Sequence, residues 1–136
     1  MRELVENKVL SVDDDSKILK LVGMVIQMSG LTPELSQDPY GAIEWYRENA
    51  DQTPVVITDR DYGMPINGDK FAAMIREIAE NHIPPLNPTI IMISGDDPRA
   101  IQEAAPKVDI VISKPFSPAV LRAEIVKGRD RFNFKG

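Results

Sequence analysis

The chain has 136 residues, which is enough for one domain with a hydrophobic core and too few for two ordinary domains. It contains no cysteine, which excludes disulfide frameworks and thiolate metal sites and suits a reducing, cytoplasmic compartment. Sixteen basic and twenty-one acidic side chains argue against direct nucleic-acid binding, and no apolar run is long enough for membrane insertion.

Five short apolar runs alternate with segments of helical periodicity, which predicts parallel strands joined by crossover helices. The runs span residues 9–12, 31–35, 55–58, 90–93 and 110–112. Four of them are almost entirely apolar, as expected for strands that helices cover on both faces. The run 31–35 is placed at a sheet edge, because Pro33 cannot donate to a strand ladder and Glu34 resists burial.

Five helices are predicted between and after these runs. The first has Ser16 as its N-cap and stops at Gly30, with an apolar stripe in between. The others begin at Asp38-Pro39, before Phe71, at Asp97-Pro98 and at Ser117-Pro118. Turn-rich residues at 62–68 and 83–88 indicate loops. The domain is expected to span residues 1–128, and a tail of residues 129–136 is expected to fray from about Gly128 onward.

Polar side chains follow four of the five predicted strands, directly after three of them and after one intervening residue, Ser113, in the fourth. They are Asp13 and Asp14, Asp59, Ser94 and Lys114. Because the carboxyl ends of parallel strands meet at one edge of a sheet, these side chains should line a common crevice. Three carboxylates there would repel one another unless a cation joined them, and oxygen ligands without His or Cys favour Mg²⁺ over zinc. Such a cluster can also bind a phosphoryl group, because cation and ammonium neutralise its oxygens.

The blocks around these residues follow one another in a distinctive order. They are residues 9–15, 55–59 with Met64-Pro65 and Gly68 behind them, 90–95 and 114–116. Together, over nearly the whole chain, they resemble the receiver domain of two-component response regulators. The resemblance implies an α/β fold: a doubly wound, five-stranded parallel sheet of order 2-1-3-4-5 in a flavodoxin-like three-layer sandwich.

The resemblance also implies a function. Asp59 would accept a phosphoryl group from a sensor histidine kinase or a histidine phosphotransfer protein, and the change would alter binding of a downstream protein target. Such a domain is a signalling switch and not an enzyme with a separate substrate. By position, Mg²⁺ would be bound by Asp14 directly and by Asp13 through water, together with Asp59 and the backbone carbonyl of Asp61. Ser94 would contact the phosphoryl group, and Lys114, before a cis peptide bond to Pro115, would pair with it.

The loop after the third strand leaves two candidate acceptors. Members of the family usually have two residues between acceptor and Met-Pro, and counting back from Met64-Pro65 selects Asp61. That register would place Asp59 and Arg60 inside a strand buried on both faces, which is costly for unpaired ions. Counting forward along residues 55–58 selects Asp59 and keeps the strand apolar. We choose Asp59, since a loop absorbs two extra residues at little cost.

Receivers often carry an aromatic switch residue three places before the lysine, and here that place is Val111. We therefore expect the loop after Ser94 and the short helix from Pro98 to carry the conformational change. His82 is expected to be exposed and has no predicted role, while Trp45 and neighbouring Tyr46 are expected to pack a helix.

Two alternative functions stay open. Residues 58–61 also resemble the nucleophile motif of haloacid-dehalogenase-type phosphatases, although the acidic pair precedes that motif here and no cap domain fits. A receiver that binds its partner without phosphorylation is the other alternative. The sequence does not decide the kinase, the output or the oligomeric state, so a homodimer also stays open.

Overall fold

The protein is described by a computed structural model over residues 7–62 and 65–132. The strands are β1 (Lys8–Val12), β2 (Thr32–Ser36), β3 (Val55–Asp59), β4 (Thr89–Ser94) and β5 (Ile110–Ser113). The helices are α1 (Ser16–Met28), α2 (Pro39–Asn49), α3 (Gly68–Asn81), α4 (Pro98–Ala104) and α5 (Pro118–Arg131), with a 3-10 turn at Ala50–Gln52. The strands pair in parallel in the order β2-β1-β3-β4-β5, which confirms the predicted topology.

Alternate strand residues face two hydrophobic layers, one on each side of the sheet. The layer beneath α1 and α5 includes Val9, Ile57, Ile91, Ile26 and Leu121. The layer beneath α2, α3 and α4 includes Leu10, Val56, Ile90, Phe71 and Ile75. This confirms the doubly wound, three-layer sandwich that the resemblance implied, and it agrees with the near-continuous apolar strands, which predicted helices on both faces. Strand β2 pairs only with β1 and is partly exposed along its length, as its Pro33 and Glu34 indicated.

The N-cap of α1 is Asp15, so the prediction that Ser16 caps this helix is wrong. Asp15 Oδ1 accepts hydrogen bonds from the backbone N–H groups of Lys17 at 2.9 Å and Ile18 at 3.4 Å. A carboxylate at this position also interacts favourably with the helix dipole, which explains why the aspartate and not the serine is the cap. The predicted stop at Gly30 is confirmed, because this glycine has a positive φ of 80°.

The remaining helices begin at capping side chains. The predicted caps of α2, α4 and α5 are confirmed as Asp38, Asp97 and Ser117. Helix α3 is capped by Asn67, so the predicted loop at 62–68 ends one residue earlier than expected. Tyr46 is buried and Trp45 packs against the same hydrophobic layer, as predicted. His82, in contrast, is half-buried and not exposed.

Helix α5 continues past residue 128, where we predicted the domain to end. It runs to Arg131, and the ring of Phe132 is buried in the hydrophobic layer beneath α2, α3 and α4. Residues 129–132 are therefore ordered parts of the fold, which corrects the expectation that the chain frays from Gly128. The rest of the predicted tail, 133–136, lies outside the described residues. Within the described ranges, no helix has the length and apolar character needed to cross a bilayer.

Candidate functional site

The carboxyl edge of the sheet brings three aspartates together. Ligand oxygens of Asp13 and Asp14, after β1, and of Asp59, at the end of β3, all lie within 4.8 Å of one another. Asp13 and Asp59 are buried, whereas Asp14 is exposed. Three hard oxygen donors on one open side of the sheet fit Mg²⁺ or a similar cation, and they offer nothing that would prefer a softer metal.

Lys114 is the cationic side chain of this cluster. Its Nζ donates a hydrogen bond to Asp59 Oδ1 at 3.0 Å, and its backbone N–H donates to the carbonyl of Ser94 at 2.9 Å. Burial lowers the pKa of Lys114, but its hydrogen bond to Asp59 and the charges of the aspartates outweigh burial, so the net pKa is raised. The lysine is therefore a fixed positive charge. The peptide bond to Pro115 is cis, as the resemblance implied.

The charge of the cluster is not balanced. The pKa of Asp13 is raised to about 6, and burial is the largest cause. The backbone N–H of Asp15, which donates to Asp13 Oδ1 at 2.9 Å, acts to lower this pKa, and the charge of Asp59 acts to raise it. Among the described residues of the cluster, three carboxylates share the single ammonium of Lys114. The raised pKa of Asp13 means that its ionised form is disfavoured in this position, and an added cation would favour it.

Asp59 and not Asp61 belongs to this cluster. Strand β3 ends at Asp59, and Arg60 and Asp61 lie beyond it, which confirms the strand register chosen from the sequence. Asp59 is the last residue of the strand and is itself buried. Asp61 lies beyond the strand and is exposed. The part of Asp61 in metal binding, through its carbonyl, stays a prediction. Met64, the reference point for the other register, lies outside the described residues.

The loop after β3 is held close to the strand by features that were not predicted. Tyr62 is 3% exposed; its hydroxyl contacts Thr58 Oγ1, and its ring meets that of Phe71 edge to face at 6.2 Å. Gly68, at the start of α3, donates its N–H to the carbonyl of Arg60 at 2.7 Å. A Cβ at Gly68 would lie 2.1 Å from the backbone oxygen of Asp59, so this close approach requires glycine.

Ser94 lies buried at the end of β4, on the same edge as the aspartates. Its Oγ accepts the backbone N–H of Asp96 at 3.1 Å and donates to Asp96 Oδ2 at a long 3.4 Å. The hydroxyl is thus engaged with its own loop. Val111, in the place of the usual aromatic switch residue, is half-buried and packs against the hydrophobic layer.

Arg60 is a further charged residue at this edge, and the sequence reasoning assigned it no role. Its guanidinium binds Asp69 at the start of α3 with distances of 3.1 to 3.3 Å and reaches Asp96 at 3.3 Å. The hydrogen bond that Arg60 donates to Asp69 is the largest of several contacts that raise the pKa of Arg60. The sequence does contain an arginine directly after a buried strand, which could have indicated a role for Arg60. Its partner Asp96 is 36 residues away, so the local sequence did not indicate the contact.

Comparisons with known proteins agree with this geometry. A family model of the response regulator receiver domain matches residues 9–126. The hybrid signal transduction histidine kinase I of Dictyostelium discoideum is 27% identical over 126 residues, which are 88% of this chain and 7% of that protein. This chain therefore spans only a small part of that relative's length.

Solved receiver structures share the fold. A response regulator receiver domain protein from Clostridium thermocellum is 23% identical with a TM-score of 0.77, over 92% of this chain and 95% of that one. The chemotaxis protein CheY4 of Vibrio cholerae is 25% identical with a TM-score of 0.73, over 89% and 97% of the two chains. On the match of the family model, supported by the sheet order and the carboxylate cluster, this chain belongs to the family of response regulator receiver domains.

Proposed function

We propose that the chain is a phosphoacceptor switch in which Asp59 receives a phosphoryl group in the presence of Mg²⁺. The observation that carries the proposal is the convergence of three carboxylates within 4.8 Å, with the Lys114 ammonium 3.0 Å from Asp59. A purely structural cluster would be expected to pair its charges internally, whereas this one keeps an excess of negative charge.

The donor set fits a hard divalent cation. Asp14 and Asp59 would hold it through carboxylate oxygens, Asp13 would do so through a water molecule, and the carbonyl of Asp61 is a further candidate ligand. A bound Mg²⁺ would supply positive charge to the oxygens of an incoming phosphoryl group. The buried position of Asp59, 8% exposed, limits access of water to the acceptor.

The transfer itself forms a bond between a carboxylate oxygen of Asp59 and phosphorus. The phosphorus–nitrogen bond of a phosphohistidine breaks at the same time, and the histidine leaves with the electron pair and takes up a proton. Lys114 already contacts Asp59 and would pair with an oxygen of the transferred group. Ser94 lies at the end of β4, which pairs with β3, and would donate its hydroxyl hydrogen to another oxygen of the transferred group.

The partners follow from this chemistry. A phosphohistidine donor implies a sensor histidine kinase or a histidine phosphotransfer protein, and the similarity to a receiver-containing hybrid histidine kinase supports that class. The phosphorylated form would favour a second conformation that binds a downstream protein differently. This makes the domain a switch whose only chemistry is performed on itself.

Incubation with Mg²⁺ and acetyl phosphate tests the proposal. The intact mass of the wild-type protein should increase by one phosphoryl group, and chelation of Mg²⁺ should prevent the increase. Asp59→Asn should abolish it, because the amide oxygen is a much weaker nucleophile than the carboxylate. No labelling of the wild type under these conditions would contradict the proposal.

Asp61→Asn is the matched control, since it removes the neighbouring carboxylate and keeps Asp59. It should retain labelling. If Asp61→Asn abolished labelling and Asp59→Asn did not, the choice of Asp59 as acceptor would be wrong. Steady release of phosphate from a phosphomonoester, lost on Asp61→Asn, would support the phosphatase alternative, and a response of the partner without labelling would support the phosphorylation-independent one.

A further inference from the structure

A chain of polar contacts leads from the start of α3 to Ser94. Asp69 holds the guanidinium of Arg60 through both carboxylate oxygens. The Nη1 of Arg60 donates to Asp96 Oδ2 at 3.3 Å, and the same oxygen lies 3.4 Å from Ser94 Oγ. Because Arg60 directly follows Asp59, this series of contacts connects the loop after Asp59 with the loop after Ser94.

The two arms of this contact chain differ in strength. The pair with Asp69 is bidentate, and both side chains are largely covered, with 25% and 18% exposure. The pair with Asp96 has a single contact, and the Asp96 side chain is 62% exposed. An exposed, singly bonded pair contributes little and is easily exchanged for water. Asp69 therefore fixes the direction of Arg60, while the Asp96 arm is the one that can open.

We propose that Arg60 is a positioning residue that acts through Asp96 to hold the Ser94 hydroxyl in its resting orientation. The proposal rests on the proposed function, because this orientation matters only if Asp59 carries a phosphoryl group. A serine hydroxyl has one hydrogen to donate. Ser94 can give it to Asp96 or to a phosphoryl oxygen at Asp59, but not to both at once.

Opening the Asp96 arm thus accompanies activation. When Arg60 no longer draws the Asp96 carboxylate over Ser94, this exposed side chain can turn into solvent and leave the hydroxyl free. The backbone N–H of Asp96 still donates to Ser94 Oγ at 3.1 Å, so the serine stays in place while its hydrogen is redirected. We call Asp69, Arg60 and Asp96 the Arg60 latch.

Phosphorylation rates of two single variants and their double variant test the Arg60 latch. With acetyl phosphate and Mg²⁺, both Arg60→Gln and Asp96→Ala should accelerate phosphorylation about two- to fivefold, as expected for the loss of one exposed ion pair. The double variant should be no faster than either single one, since each already opens the same contact. Arg60→Lys should lie between Arg60→Gln and the wild type, because lysine keeps the charge and loses the fork.

The signs of these effects separate the latch from a simple charge effect. If Arg60 acted only as a positive charge near an anionic donor, its loss would slow phosphorylation, and the loss of the negative Asp96 would accelerate it. Opposite signs, or additive effects in the double variant, would overturn the proposal. Arg47→Gln, which removes an exposed ion pair with Glu44 on α2, is the control and should leave the rate unchanged.

Amide exchange in the unphosphorylated protein gives an independent readout. The N–H of Asp96 should exchange faster in Arg60→Gln, because the loop around Asp96 loses its contact with Arg60 and the hydrogen bond from this N–H to Ser94 Oγ opens more often. If the wild type is phosphorylated but Asp96 exchange is unchanged in the variant, the latch is wrong while the proposed function stands. If the wild type takes no phosphoryl group, the proposed function fails, and the role assigned to Arg60 fails with it.

Discussion

Charged side chains are paired at the amino end of the central sheet and are left with excess negative charge at its carboxyl end. At the amino ends of β4 and β5, Arg76 donates to Asp109 Oδ2 at 2.7 Å and to the carbonyls of Pro88 and Lys107. The same oxygen of Asp109 accepts the backbone N–H of Ile90 at 2.7 Å. Cation and anion are close, hydrogen-bonded and partly covered, so this pair links the start of β4 to the start of β5 and to α3.

At the carboxyl ends, charge is concentrated instead of cancelled. Asp13, Asp14 and Asp59 converge around the one ammonium of Lys114 among the described residues of that cluster, and the pKa of Asp13 is raised to about 6. Such an arrangement costs folding free energy that a bound cation can recover. The comparison suggests that charges at the amino end serve the fold, whereas those at the carboxyl end serve a ligand.

Removal of Arg76 should have the largest effect on stability. Arg76→Ala would remove the short hydrogen bond to Asp109, leave the more distant Arg131 at 4.0 Å as a cation for that carboxylate, and free two carbonyl acceptors. The loss of these three hydrogen bonds should cost roughly 3 kcal/mol in the free energy of unfolding. Urea denaturation measures this change. Arg47→Ala, in an exposed pair, should cost close to nothing. Equal effects of the two substitutions would contradict the structural role given to the amino end.

The sequence was sufficient to predict the features that depend on local pattern. Apolar runs predicted the five strands, and the requirement for an apolar β3 placed the end of that strand at Asp59. The sheet order came from the resemblance, and the role of Asp59 as acceptor stays a prediction. Proline positions gave the starts of three helices. These predictions succeeded because burial and backbone geometry constrain each short segment independently of the rest of the chain.

Features that depend on distant partners were missed. The latch brings Arg60 to Asp96, and nothing in the local sequence of either loop indicates that contact. Tyr62 was assigned to a loop, and its burial against the ring of Phe71 was not predicted, because the polar neighbours of Tyr62 give no sign of this contact. Asp15 caps the helix and Ser16 does not, which the sequence left undecided because both side-chain types accept backbone N–H groups at a helix start.

Neutralising one carboxylate should stabilise the metal-free protein. Because the pKa of Asp13 is raised, its ionised form at pH 7.5 opposes folding, and Asp13→Asn should increase the free energy of unfolding by roughly 2 kcal/mol. Asparagine can still accept the N–H of Asp15. In saturating Mg²⁺ the wild type should be more stable than Asp13→Asn, because cation binding adds more to the free energy of unfolding of the wild type. A variant that is less stable than wild type without metal would show that the carboxylates are internally compensated.

The affinity for Mg²⁺ should depend on pH in the range set by Asp13. Its folded-state pKa of about 6 lies above the ordinary value of 3.8, so the folded protein takes up a proton there as the pH falls from 7 to 5. That proton stabilises the metal-free fold and competes with the cation, which should weaken Mg²⁺ binding about tenfold over this range. Calorimetric titration at both pH values measures the change. Asp13→Asn should remove most of the dependence, and a dependence that persists would have to come from another group.

The smallest predicted effect tests whether Lys114 and Mg²⁺ compete for the same charge. In Lys114→Gln, Asp59 Oδ1 loses its ammonium partner at 3.0 Å and the cluster becomes more negative, so Mg²⁺ should bind about threefold more tightly, a modest factor because the lysine side chain is 30% exposed. Lys127→Gln, on the outer surface of α5, is the matched loss of charge and should change nothing.

Phosphorylation of the same variant should fall sharply, because the transferred group would lose the cation that pairs with its oxygen. The two measurements thus have opposite signs in one protein. Weaker Mg²⁺ binding in Lys114→Gln would mean that the lysine orients Asp59 for the metal instead of competing with it. The excess of negative charge at the carboxyl end would then not be what attracts the cation, and the contrast between the two ends of the sheet would reduce to a difference in geometry.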